Sequence, residues 1–192
     1  MKSRLPSALL AVVALGLPAL AQNEAFPNTK EVGRAAVEYD DDAIQAVAAY
    51  YYSRRNHDSS WLLIEVALTT ERRMVITRDD VSLVMPDGTE IPLATQRRFR
   101  EDINRTRLIL QNSSTQRHGV DTYFNNRRMR EPMRFFALPF EGTVQTEFVV
   151  DRDRMAWGDL FFESPTGLWE AGEYGLLIQG RQVSARLPIT LD

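Results

Sequence analysis

His57 and His118 are the only histidines of the chain, and it contains no cysteine. A zinc or copper site draws on imidazole, thiolate or carboxylate ligands that converge on one point, so such a site would need both histidines and neighbouring acids brought together by the fold. No pair of histidines at helical spacing points that way. His57-Asp58-Ser59-Ser60 holds every residue type of a hydrolytic triad. Sequence neighbours cannot arrange themselves as nucleophile, base and orienter, and no Gly-x-Ser-x-Gly elbow is present, so this stretch reads as a polar loop. Paired carboxylates for glycoside cleavage need only two acids about 5 to 10 Å apart in a cleft. A small hydrolase therefore stays open as a third reading, although short connections leave little room for a cleft. The ten glycines form no Gly-rich turn ahead of a helix, so neither phosphate loop nor dinucleotide fingerprint is present, and no cofactor is expected.

Arginine carries the strongest signal. Between Thr95 and Arg134 ten arginines stand against four carboxylates, a surplus of six positive charges in a chain of net charge −3. The block contains Arg97, Arg98, Arg100, Arg127, Arg128 and Arg130, with Tyr123 and Phe124 among them. Such a block suits an anionic partner: an envelope protein with an acidic face, a polyanionic glycan or lipid head groups. Nucleic acid would fit electrostatically, but an exported protein seldom meets it. The competing reading pairs these arginines with acids of the same molecule and lays their stems over apolar surface. A second candidate surface is aromatic. Trp157 and Trp169, with Tyr123, would form the platform of an accessory carbohydrate-binding module, against the reading that the tryptophans pack at the core.

These groups need an address and a scaffold. Lys2 and Arg4 precede an apolar run from Leu5 to Leu17, and Pro18-Ala19-Leu20-Ala21 offers small residues at the positions a signal peptidase accepts. Residues 1–21 are thus expected to be a cleaved signal peptide, with no membrane span left in the mature chain and a periplasmic or extracellular location. Gln22 stands where a lipoprotein needs a lipidatable Cys, so no lipid anchor is expected. Residues 22–32 read as a flexible arm and 33–192 as a single domain with a helical or irregular insertion at about 95–133.

Trp61 to Thr70 alternates, with Leu62, Ile64, Val66 and Leu68 on one face and Glu65 and Thr69 on the other, which predicts a strand. Val81 to Met85, Pro86-Asp87-Gly88-Thr89 and the return through Ile91 and Leu93 predict an antiparallel hairpin, with Pro92 placing the return strand at a sheet edge. Further strands are expected at Gly33–Tyr39, Arg134–Phe140, Val144–Val150, Asp159–Glu163, Tyr174–Gln179 and Val183–Leu191. Two helices are expected. One of about a dozen residues would follow Asp42 through Ala43, Ile44, Ala46, Val47, Ala48 and Tyr51, with Asp40, Asp41 and Asp42 favouring its positive end rather than holding calcium. The other, from Gln96 to Gln111 with Thr95 as cap, carries Phe99, Ile103, Thr106 and Leu110 on one face. Phe161 and Phe162, adjacent on a strand, must point to opposite faces.

About eight short strands separated by turns predict a mainly β domain, an antiparallel sandwich. Ala171-Gly172-Glu173-Tyr174-Gly175-Leu176 resembles the Gly-x-Tyr start of a late strand in immunoglobulin-like sandwiches, where a tyrosine hydrogen-bonds back to close a corner. Trp61 to Val66, followed by Asp80-Val81-Ser82-Leu83 and Pro86-Asp87-Gly88, is similar to the opening strands of exported bacterial domains of that class. The resemblance implies the architecture and export; it carries no catalytic or ligand residue across.

Overall fold

The computed structural model describes residues 26–57, 60–115, 119–124 and 129–192. Among the described residues there are twelve strands: β1 Thr29–Gly33, β2 Ala36–Asp40, β3 Ile44–Ala49, β4 Trp61–Thr70, β5 Met74–Thr77, β6 Val81–Val84, β7 Glu90–Pro92, β8 Met129–Met133, β9 Glu147–Val150, β10 Arg154–Glu163, β11 Gly172–Gln179 and β12 Ser184–Leu191. Among the described residues three α-helices join them: α1 Tyr51–Asn56, α2 Gln96–Glu101 and α3 Ile103–Ser113. The fold is mainly β. One sheet runs β1-β2-β3-β4-β10-β8, a second runs β12-β11-β6-β7, and β5 pairs with β9 alone.

The first two sheets share one core. Leu62, Ile64, Val66 and Leu68 of β4 and Leu160 and Phe162 of β10 meet Val81, Leu83, Tyr174, Leu176, Ile178, Leu187 and Ile189 from the other sheet, all of them buried. The alternation along β4 that predicts a strand is what supplies this row. Removing these side chains from water is the main term holding the sheets together, at roughly 1.5–3 kcal/mol for each large apolar residue fully buried.

The other face of β4 is buried as well, contrary to a polar outer face. Trp61 and Leu63, with Phe161 of β10, lie under α2 and α3. Ala67, with Val47, Ala49 and Met155, lies under the turn at Val120–Thr122 and the rings of Tyr123 and Phe124. Phe161 and Phe162 do point to opposite faces, and each finds apolar cover. Helices α2 and α3 and residues 120–124 are therefore a third layer over the large sheet.

Several expectations are corrected. Ile44–Ala49 is a strand between β2 and β4, and only Tyr51–Asn56 is helical. Because both faces of β3 are covered, its apolar residues form a near-continuous run, which periodicity cannot separate from a helix. Asp41, rather than Asp42, organises the turn before it, accepting from the amides of Ala43 and Ile44 at 2.8 and 2.7 Å. Burial opposes ionisation of this carboxyl, but those two amides and the Tyr39 hydroxyl outweigh it and hold its pKa below the usual value. Residues 29–32 of the expected arm belong to the edge strand β1, and β5 falls in a stretch where none was expected. Arg134–Phe140 is irregular, and the strand there is β8 instead.

That strand lies parallel to β10, the one parallel pair among the described strands. Parallel neighbours need a long crossover, and residues 134–153 provide it. A side chain at Gly158 would collide with the Met133 carbonyl, so glycine is what lets β8 approach β10 this closely. The hairpin is as expected: β6 and β7 are antiparallel, and Pro92 lies on the edge strand.

Candidate binding surface

The insertion is fastened at its start. Thr95 caps α2, its hydroxyl accepting from the Arg98 amide at 3.2 Å, and the Ala94 amide donates to the Phe161 carbonyl at 2.9 Å. Gln96 clasps the far loop from both sides: its Nε2 donates to the Ala137 carbonyl at 2.7 Å while its Oε1 accepts from the Ala137 amide. Phe99, wholly buried, sits among Phe161, Phe136 and Trp61 with ring centroids at 5.0, 5.1 and 6.4 Å. At Asp102 the expected single helix breaks into α2 and α3. The carboxylate there accepts from the Trp61 indole Nε1 at 2.9 Å.

Arg78, which no sequence pattern singled out, holds this joint from below. Its guanidinium stacks over the Phe136 and Phe135 rings at 4.7 and 5.3 Å and donates to the carbonyls of Phe135 and Ala94. Burial lowers its pKa, with Asp79 opposing. A lone arginine in a polar stretch carries no signal of such a role; the rings that receive it come from a segment far along the chain.

The arginines divide by role. Arg98 spans from α2 to β10, where Nε and Nη2 bind the two carboxylate oxygens of Glu163 at 3.1 and 2.5 Å, and Nη1 reaches Glu101 at 2.7 Å. These bonds raise its pKa, the Glu163 bond contributing most. Arg105 donates to Ser60 Oγ at 3.0 Å, and Arg130 lies 3.9 Å from Asp121. Arg97 is four-fifths exposed and lies 3.5 Å from Glu101, one turn along α2. Arg100, Arg107 and Arg134 are exposed and have no ion-pair partner among the described residues. Arg127 and Arg128 lie outside the described residues.

Tyr123 and Phe124 meet edge to face at 5.3 Å and pack with Trp157 on the outer face of the large sheet. Burial beside Glu38 and Asp40 pushes the Tyr123 phenol up to about 12. The two rings thus serve mainly to cover that face. Trp169 is 4% exposed and stacks edge to face on Tyr174 in the inner core. Trp157 is half-buried on the opposite face of the large sheet. The two tryptophans named for a sugar platform therefore do not offer two coplanar exposed rings, because the end of the core claims Trp169.

Sequence reading missed a cleft. Between α3 and the β8–β10 edge lies a depression of about 870 Å³ lined by Leu110, Met133, Phe136 and Trp157 together with Arg107, Arg134 and Glu141. It exists because β8 joins the sheet as a parallel edge, and the β8 pairing was not legible. A second depression of about 930 Å³, beside β5, is lined by charges of both signs, among them Asp42, Glu71, Arg72 and Arg181. Among the described residues no three His, Asp or Glu side chains converge as metal ligands do, and no helix is long and apolar enough to cross a membrane. Comparison with family profiles, with curated proteins and with solved structures finds no match.

Proposed function

We propose that this chain is an exported binding module of the bacterial cell envelope, built as an immunoglobulin-like sandwich, whose arginine-rich third layer docks an anionic partner and performs no catalysis. The observation that carries this reading is the division of labour among the arginines. Arg98 is committed to Glu163 and Glu101 and fixes α2 in place, while Arg97 and Arg100 on the same helix stay exposed to solvent. A helix anchored through Phe99 and Arg98 presents its remaining cations on a rigid base, which lowers the entropy lost when they engage a partner.

The proposed architecture has its own support. The Tyr174 hydroxyl donates to the Glu170 carbonyl at 2.8 Å, four residues upstream, in the manner of a tyrosine corner. Export rests on the residues from Lys2 to Ala21.

The test is recovery of a partner from envelope extract by the mature protein and by a variant in which Arg97, Arg100, Arg127 and Arg128 are changed to Ser, with Arg98 retained to keep the layer in place. Loss of a partner in the variant alone supports docking through these arginines. Equal recovery returns them to solubility.

A further inference from the structure

The turn Leu138-Pro139-Phe140-Glu141 closes with the Glu141 amide donating to the Leu138 carbonyl at 3.1 Å. Phe140 occupies its third position with φ of 72°, in the left-handed region where a type II turn ordinarily places Gly or Asn. Its ring is fully exposed, whereas Val75, Leu108, Met129 and Leu168 keep part of their surface covered. An aromatic residue at such a position is disfavoured twice, by its backbone and by its contact with water.

The same turn borders the cleft between α3 and the β8–β10 edge, since Leu138 and Glu141 both line it. An apolar knob and a hollow lined by both apolar and charged side chains thus sit side by side on one face. We propose that this face pairs with a second copy of the chain about a two-fold axis, each Phe140 entering the cleft of the other copy against Leu110, Phe136 and Trp157. An isologous interface requires a self-complementary patch, and knob beside hollow is the simplest such patch. Charge complements shape. Glu141 at the knob and Arg107 and Arg134 at the hollow have no ion-pair partner among the described residues, so the two-fold exchange brings each copy's Glu141 toward the arginines of the other. The pairing uses none of the α2 arginines on which the proposed function rests.

Sedimentation velocity of the full chain and of the mature chain, from low to high micromolar concentration, tests this. The expected result is a concentration-dependent shift toward twice the monomer mass. Phe140→Asn keeps a residue suited to positive φ and removes the ring, so it must abolish the shift while the circular dichroism spectrum stays unchanged. Glu141→Arg must weaken association at least tenfold, and adding Arg134→Glu must restore part of it. A single species of monomer mass at every concentration overturns the proposal, as does a dimer indifferent to Phe140→Asn. Flotation of a monomeric protein with anionic vesicles, lost in Phe140→Asn, would also overturn it by assigning the ring to a lipid surface.

Discussion

Arg98 on α2 and Glu163 on β10 form a two-point ion pair that ties the inserted layer to the strand it covers. The planar guanidinium matches the carboxylate fork, a geometry that lysine cannot reproduce. With Phe99 one residue away at the centre of an aromatic cluster, α2 has an apolar fastening beside this polar one and the Gln96–Ala137 hydrogen bonds.

The apolar fastening carries most of the stability. Phe99→Ala is expected to cost about 3–5 kcal/mol, the range for a large aromatic truncated in a close-packed site. Urea unfolding measures it. A loss below about 1 kcal/mol would mean that the layer does not depend on this ring.

The polar fastening is expected to behave as a unit. Arg98→Ser and Glu163→Gln each lower the melting temperature, and the double variant melts no lower than the worse single one, because the second change removes an interaction already lost. Fully additive losses in a thermal denaturation cycle would show that the two groups do not interact in solution.

The β6–β7 hairpin was legible in the sequence because its information is local. Pro86-Asp87-Gly88 sets the turn, Gly88 takes φ of 87°, and Asp87 Oδ1 accepts from the Thr89 amide at 2.8 Å. The inner row of β4 was legible because one face alternates cleanly. β3 was misread because Ile44, Ala46 and Ala48 face the core while Val47 and Ala49 lie under Val120 and Tyr123, and burial on both faces erases the period. Of the candidate site, the positive charge and the Thr95 cap could be read directly. Which arginine serves structure and which stays exposed could not, because Glu101 is within helical reach of both Arg97 and Arg98, and Glu163 becomes a partner only once α2 lies across β10. The cleft was illegible for the same reason, since it depends on the parallel pairing of Met129–Met133 with β10.

Alkaline pH is expected to destabilise the covering of the outer sheet face. The Tyr123 phenol is raised from 10.0 to about 12, so its neutral form is favoured in the folded state. That stability is fully present below pH 10 and lost as pH rises through about 12, because the unfolded chain releases the proton first. Absorbance titration of the folded protein should show one phenol ionising near 12, absent in Tyr123→Phe. Identical titration curves for the two proteins would refute this.

Docking of an anion by Arg97 and Arg100 is tested most directly by salt elution from an immobilised sulfated polysaccharide, with the parent protein compared against the variant carrying Ser at 97, 100, 127 and 128. Exposed cations bind through screened electrostatics, so the parent should be retained at low ionic strength and released by salt, and the variant should elute markedly earlier with its melting temperature unchanged. Passage of both proteins without retention, or elution of the two at the same salt concentration, would contradict an anion-docking role for the α2 arginines.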